Sequence, residues 1–187
     1  MSTRRNTLKL PEMAKMMIQR TREDDPALAK VLEQLEESGM REMGGVIGRF
    51  ANGPEGVSDP RVRLQVRRLL GRLHKPDGRM LSKLNRILDY MDLNADARLE
   101  ESEMELCLQL LERFSGLVSD NHTLSAVELD LLYAVLRFAD RNGNGRLEET
   151  ERAQLLKEIQ GGRSFLRRQF SDNQEFRGIA EEHQLFF

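Results

Sequence analysis

The sequence lacks the features that mark a secreted or membrane protein. A single cysteine, Cys107, excludes an internal disulfide, and its place on an apolar helical face predicts a core residue. No apolar run approaches the length that spans a bilayer. The N-terminus has positive charges but no hydrophobic stretch behind them, and position 2 is not the glycine that a myristoyl anchor requires. We therefore expect a cytoplasmic protein.

A catalytic set is also absent from the sequence. His74, His122 and His183 lie far apart, without the spacing of a zinc site. There is no glycine-rich phosphate loop and no serine elbow, and no base is indicated for Cys107. The sequence therefore predicts that the chain is not an enzyme.

What the chain has in quantity is charge. Charged residues make up 32% of it and apolar residues 39%, as expected for an assembly of short amphipathic helices. Residues 1–91 hold 18 Lys and Arg against 12 Asp and Glu, whereas residues 92–151 hold 5 against 14. We predict an all-α fold in which a basic N-terminal half faces an acidic central part.

Two acidic stretches share one pattern. The Asp140 loop (Asp140–Glu151) has the sequence DRNGNGRLEETE, and the Asp92 loop (Asp92–Glu103) has the sequence DLNADARLEESE. Oxygen-bearing residues at alternate positions suit a hard divalent cation, which takes about six to eight oxygens at about 2.3–2.6 Å. The candidate ligands are Asp92, Asn94, Asp96, Arg98, Glu100 and Glu103 in one loop and Asp140, Asn142, Asn144, Arg146, Glu148 and Glu151 in the other.

Both stretches resemble the loops of the EF-hand calcium-binding family. The Asp140 loop matches the pattern D-x-[DN]-x-[DN]-G-x₅-E throughout, and apolar helical faces flank both loops, so the resemblance covers about residues 81–160. It implies two helix–loop–helix hands that bind two Ca²⁺ ions, with Mg²⁺ as an occupant at rest. Arg98 and Arg146, at position 7, would contribute only their backbone carbonyls.

The resemblance also assigns roles to positions 8 and 12. Glu103 and Glu151, at position 12, would bind the ion through both carboxylate oxygens, which favours Ca²⁺ over Mg²⁺. Leu99 and Leu147, at position 8, would lie on short strands through which the two loops pair.

The Asp92 loop departs from the family pattern once. Position 6 is Ala97, where the sharp turn normally requires glycine. A non-glycine residue there costs roughly 1–2 kcal/mol, so affinity should fall about tenfold. Charge favours this loop, which holds five acids and one arginine against four acids and two arginines in the other. The sequence leaves the order of the two affinities open.

Residues 1–79 are predicted to be a basic helical region. We expect a polar segment over residues 1–9, helices beginning at Pro11 and Pro26, and a glycine-rich loop over residues 44–59. A basic amphipathic helix should follow from Pro60 to about Leu73. Phosphate backbones or anionic lipid could bind it, but no aromatic residue is interleaved for base stacking. Its expected partners are the acidic loops, not nucleic acid or a membrane.

Residues 80–162 contain the predicted pair of hands. The loops begin 48 residues apart, which is longer than the usual spacing of two closely paired hands. The surplus residues lie in the linker Ser115–Leu124. Ser125 and Glu128 then form a capping box that starts the next helix. We expect the two hands to pair directly.

The alternative arrangement is four hands in two pairs. A degenerate hand near residues 50–62 would begin at Asn52, 40 residues before Asp92. It could not hold a metal, because three of its ligand positions are taken by Pro54, Gly56 and Arg63. A second degenerate loop would run from Asp172 to His183 and partner the Asp140 loop.

Residues 163–187 form an aromatic tail with five of the eight phenylalanines, which must be buried. They could pack on the N-terminal helices or fill the groove that sensor hands expose on binding calcium. The predicted function is a calcium-responsive regulator of a protein target that the sequence does not identify. A calcium buffer or a calcium-stabilised structural protein is the alternative.

Overall fold

The computed structural model describes residues 60–118 and 123–187 continuously, and scattered positions before residue 60 that are all helical. The two continuous stretches form seven helices, so the predicted all-α class is confirmed. In chain order they are α1 (Pro60–Leu70), α2 (Gly78–Asp89), α3 (Glu101–Val118), α4 (Ala126–Ala139), α5 (Glu149–Ile159), α6 (Arg163–Asp172) and α7 (Gln174–Glu182).

Side-chain caps fix where α2 and α4 begin. Asp77 accepts a hydrogen bond of 2.8 Å from the Met80 N–H, which satisfies one of the free donors at the start of α2. The predicted capping box at the start of α4 is confirmed, with the Glu128 carboxylate 2.5 Å from the Ser125 N–H. These two caps fix the first residues of α2 and α4, which pack against each other.

One apolar core joins the helices. α2 packs against α4, α1 against α3, and α3 against both α4 and α5. An ion pair between Lys83 and Asp130 also links α2 to α4. Cys107 is fully buried, as predicted, and burial raises the pKa of its thiol to about 12. Leu73 and Leu124 form a parallel β-bridge that ties the α1–α2 turn to the α3–α4 connection.

Two predicted boundaries are wrong by about one turn. α1 ends at Leu70 rather than Leu73, because Leu73 is drawn into the bridge. α3 continues to Val118 through the first part of the predicted linker, because Phe114 and Ser115 are buried and the Ser115 hydroxyl donates to the Glu112 carbonyl at 2.9 Å. Residues 119–122 of that linker lie outside the described residues.

The prediction of a glycine-rich loop is wrong at residues 45, 46 and 48–50, which are helical. Val46 and Phe50 are four residues apart and 1% and 0% exposed, so burial of one helical face overrides the low helix propensity of the glycines. Asn52, Pro54 and Gly56 of the degenerate hand, residues 1–9 and most of the helices predicted from Pro11 and Pro26 lie outside the described residues.

The predicted degenerate loop over Asp172–His183 is also wrong. Nearly all of this segment is helical, with Asn173 alone between α6 and α7. The Asn173 side chain caps α7 by accepting from the Phe176 N–H at 3.1 Å. Within the part of the chain that the structure describes, α7 packs against α4 rather than against the basic N-terminal helix.

Candidate metal centre

Each predicted loop connects two consecutive helices. The first unit comprises α2, the Asp92 loop and α3, and the second unit comprises α4, the Asp140 loop and α5. The twelve candidate ligand residues lie between the end of one helix and the first turn of the next. The hydrogen bonds inside the two loops repeat at matching positions.

The aspartate at position 1 holds the turn of each loop. Asp140 accepts hydrogen bonds from the N–H groups of Gly143, Asn144 and Gly145, at 2.9, 3.2 and 2.8 Å. In the other loop Asp92 accepts from the Ala97 N–H at 2.9 Å, the bond that corresponds to the one from Gly145. Each loop is therefore wound around its first carboxylate.

The glutamate at position 12 closes each loop. The two carboxylate oxygens of Glu103 accept from the N–H groups of Leu93 and Glu100, at 3.1 and 2.8 Å. In the Asp140 loop the corresponding bonds to Glu151 come from Arg141 and Glu148, at 3.0 and 3.1 Å. These glutamates belong to the first turns of α3 and α5, so each loop closes on the helix that follows it.

Positions 3 and 5 direct their side-chain oxygens back into the loop. Asn142 accepts from the Asn144 N–H at 3.0 Å, and Asn144 accepts from the Arg146 N–H at 2.9 Å. The same two bonds recur in the Asp92 loop, from Asp96 to Asn94 and from Arg98 to Asp96. An oxygen in such a bond keeps a lone pair that can bind a cation.

Both loops turn through left-handed backbone at positions 4 and 6. Gly143 and Gly145 have φ values of +69° and +79° in the Asp140 loop. Ala95 and Ala97 adopt the same conformation in the Asp92 loop, with φ of +58° and +62°. The strain predicted at Ala97 is present, and Ala95 adds a second strained position that the sequence analysis missed.

The Asp92 loop contains an oxygen that fits a cation. Asp92 is only 5% exposed, and its Oδ1 atom is buried without a hydrogen-bond partner among the described residues. A buried carboxylate oxygen without a hydrogen-bond partner lowers the stability of the fold unless an opposite charge lies beside it. Glu103, at the other end of the loop, is also 5% exposed, so both ends of this loop hold buried acids.

The described carboxylates do not form a metal site by themselves. Among the described residues, no three His, Cys, Asp or Glu side chains are gathered so as to hold a metal ion by themselves. Calcium loops draw part of their oxygens from amide side chains and backbone carbonyls. Asn94, Asn142 and Asn144 offer the first kind, and Arg98 and Arg146 the second.

The predicted strand pairing of Leu99 with Leu147 is wrong. The Leu147 N–H donates to the Tyr90 carbonyl at 2.9 Å, and the Leu99 N–H donates to the Arg49 carbonyl at 2.7 Å. The Leu147 N–H thus bonds to the chain just before the Asp92 loop, whereas the Leu99 N–H bonds to the helical residues next to Phe50. The sequence gives no signal for such partners, because they contribute backbone oxygens that every residue has.

Tyr90 lies between the two units. Its ring meets that of Tyr133 edge to face, with centroids 5.8 Å apart. Burial, reinforced by Tyr133 and by the negative charge of Asp140, raises the pKa of the Tyr90 hydroxyl to about 12. This side chain therefore stays neutral at physiological pH beside the Asp140 carboxylate.

In the contacts that the structure describes, the basic residues Arg68 and Arg72 pair with α3, and not with the acidic loops as predicted. Arg72 lies 2.5 Å from Glu112, and Arg68 lies 3.6 Å from Glu105 and 3.7 Å from Glu112. The packing of α1 on α3 brings these partners together. These contacts offset part of the positive charge that a phosphate backbone or lipid headgroup would need.

Comparison of the chain with protein-family models, with curated proteins and with solved structures found no match. Of the helices that the structure describes, none combines the length and apolar character needed to cross a membrane.

Proposed function

We propose that this chain is a calcium-binding protein with one ion site in each of the Asp92 and Asp140 loops. The observation that carries the proposal is the buried, unpartnered oxygen of Asp92, in a loop whose hydrogen bonds repeat position by position in the Asp140 loop. Oxygen donors spaced in this way are the ligands that Ca²⁺ takes in proteins.

A bound Ca²⁺ supplies two positive charges that offset the clustered carboxylates of each loop. Asp92 and Asp140 hold the turns through backbone N–H bonds. Glu103 and Glu151 connect the loops to α3 and α5. We infer a regulator in which the positions of these two carboxylates set the positions of the helices that carry them.

A calcium buffer or calcium-stabilised protein is the second candidate, favoured by the way apolar surface is covered. Val46 and Phe50 are buried in the core that contains the first unit, and Phe165 and Phe176 are buried in the same core. A unit whose apolar face is already covered has less apolar surface to expose when Ca²⁺ binds. Fluorescence of a hydrophobic dye with Ca²⁺ and with chelator separates the candidates: a rise with Ca²⁺ supports the regulator, and binding without a rise supports the buffer.

Substitution of each closing glutamate tests the two sites separately. Glu103→Gln and Glu151→Gln keep an acceptor oxygen for the loop but remove its charge, so each should lose one of two sites in a calorimetric titration. The matched controls are Glu101→Gln and Glu149→Gln, which remove an exposed charge at position 10 of the same loops. Equal affinities for all four variants and the wild type would contradict the assignment.

A further inference from the structure

The last two helices are attached to both helices of the second unit. Arg168 on α6 lies 2.7 Å from Glu158 on α5, and Glu175 on α7 lies 3.2 Å from Arg137 on α4. α6 and α7 also pack against each other. The tail therefore spans the two helices that flank the Asp140 loop.

Asn173, at the junction of α6 and α7, provides the most specific attachment. Its side chain is 4% exposed, and its Nδ2 group donates to the Ala134 carbonyl of α4 and to Gln169 Oε1, both at 3.0 Å. Its Oδ1 atom accepts from the Phe176 N–H at 3.1 Å. Only an amide offers a donor and an acceptor in this geometry, so the tail is positioned by a group that few residues could replace.

Apolar contacts reinforce the polar ones. Phe165, Leu166 and Phe176 are at most 2% exposed and belong to the same core as the rest of the second unit. Phe187 packs on Phe176 with the ring centroids 5.5 Å apart. The predicted burial of the tail phenylalanines is wrong at Phe186, which is 82% exposed. The tail is thus bound at several points besides its junction, but not at Phe186.

We propose that α6 and α7 form a clamp that opposes separation of α4 and α5 when the Asp140 loop takes up a cation. The inference rests on the proposed function, because it concerns the response of the same loop. Movement of Glu151 with α5 would have to stretch or break the bonds from Arg168 to Glu158 and from Asn173 to Ala134. The clamp therefore holds the affinity of the Asp140 loop below the value that its ligands alone would give.

Asn173→Asp tests the clamp. An aspartate keeps the acceptor that caps α7 but replaces the donor to Ala134 with a negative oxygen facing a carbonyl. The neighbouring exposed residue provides the control, Gln174→Ala. Both are made in the Glu103→Gln background, so that calorimetry reports the Asp140 loop alone.

We expect Asn173→Asp to bind Ca²⁺ about tenfold more tightly than the control, since the loss of a buried bond to a backbone carbonyl shifts such an equilibrium by about that factor. Amide hydrogens of α7 should exchange faster in this variant, and dye fluorescence should rise more with Ca²⁺ than it does in the control. Should Asn173→Asp fail to fold, Phe187→Ala loosens the same clamp from its end and should shift affinity in the same direction by about threefold.

The outcomes separate the two proposals. The clamp is overturned if the clamp variant, either Asn173→Asp or Phe187→Ala, binds calcium with the same affinity as the control. The proposed function is left standing by that result. If no variant binds calcium, the proposed function is overturned. Faster amide exchange in α7 would then show that the contacts of α6 and α7 hold the second unit closed for a reason unrelated to calcium.

Discussion

The guanidinium of Arg146 donates a hydrogen bond of 3.0 Å to the backbone carbonyl of Leu93. The bond joins position 7 of the Asp140 loop to position 2 of the Asp92 loop. Leu93 in turn donates its N–H to Glu103, the residue that closes the Asp92 loop. A chain of two hydrogen bonds therefore runs from one loop to the closing ligand of the other.

We predict that Arg146→Met uncouples the loops without removing a ligand, because position 7 contributes only its backbone carbonyl. A charged hydrogen bond at an exposed site contributes about 1 kcal/mol or less. Occupation of the Asp140 loop should therefore strengthen binding at the Asp92 loop by about threefold in the wild type, and this effect should disappear in the variant. Calorimetry with and without Glu151→Gln measures the coupling.

Arg98→Met is the matched control. Arg98 occupies the same position in the other loop, and its substitution removes the same charge. It should leave the coupling intact. Loss of coupling in both variants would attribute it to charge alone and contradict a role for the Arg146–Leu93 bond.

We predict that exchanging alanine and glycine at position 6 changes the cation affinities of the two loops in opposite directions. Ala97→Gly relieves a left-handed alanine and should stabilise the Asp92 loop by about 1 kcal/mol, tightening its cation binding about fivefold. Gly145→Ala should weaken the Asp140 loop by a similar factor. A β-carbon at Gly145 would meet no atom within 4 Å in the described structure, so the cost there is conformational and not steric.

Calorimetric affinities of the two single variants check this prediction. The double variant should restore a summed binding free energy close to that of the wild type, because the two loops turn alike. A tightening on both substitutions would show that the positive φ values do not control affinity.

The buried thiol predicts a pH dependence. The folded pKa of Cys107 is raised by burial from 9.0 to about 12. Its contribution to stability is fully present below pH 9 and is lost as pH rises toward 12, because the unfolded chain ionises first. We expect the free energy of unfolding in urea to fall by about 1 kcal/mol between pH 9 and 10, and this step to be absent in Cys107→Ala. The same slope in both proteins would assign it to other groups.

Local signals in the sequence were sufficient to predict the helices on either side of the two loops, and the ion sites in the loops stay predictions. The capping residues Ser125 and Glu128 are three residues apart, so their spacing alone predicts the contact. Ala97 was identified because its position in the loop, not its neighbours, determines the backbone that it must adopt.

Contacts between distant segments were not predictable in this way. The Leu99 N–H finds its acceptor at Arg49, 50 residues away, and Asn173 finds Ala134, 39 residues away. Both acceptors are backbone carbonyls, which have no sequence signature. The helix at Val46 and Phe50 forms because the assembled core buries it, and that core exists only once the rest of the chain has folded.

Equilibrium dialysis of the wild-type chain against Ca²⁺ tests the central claim most directly. The account predicts two bound ions per chain at neutral pH in millimolar Ca²⁺, and one ion in each of Glu103→Gln and Glu151→Gln. A wild-type chain that retains no ion under these conditions would contradict the account.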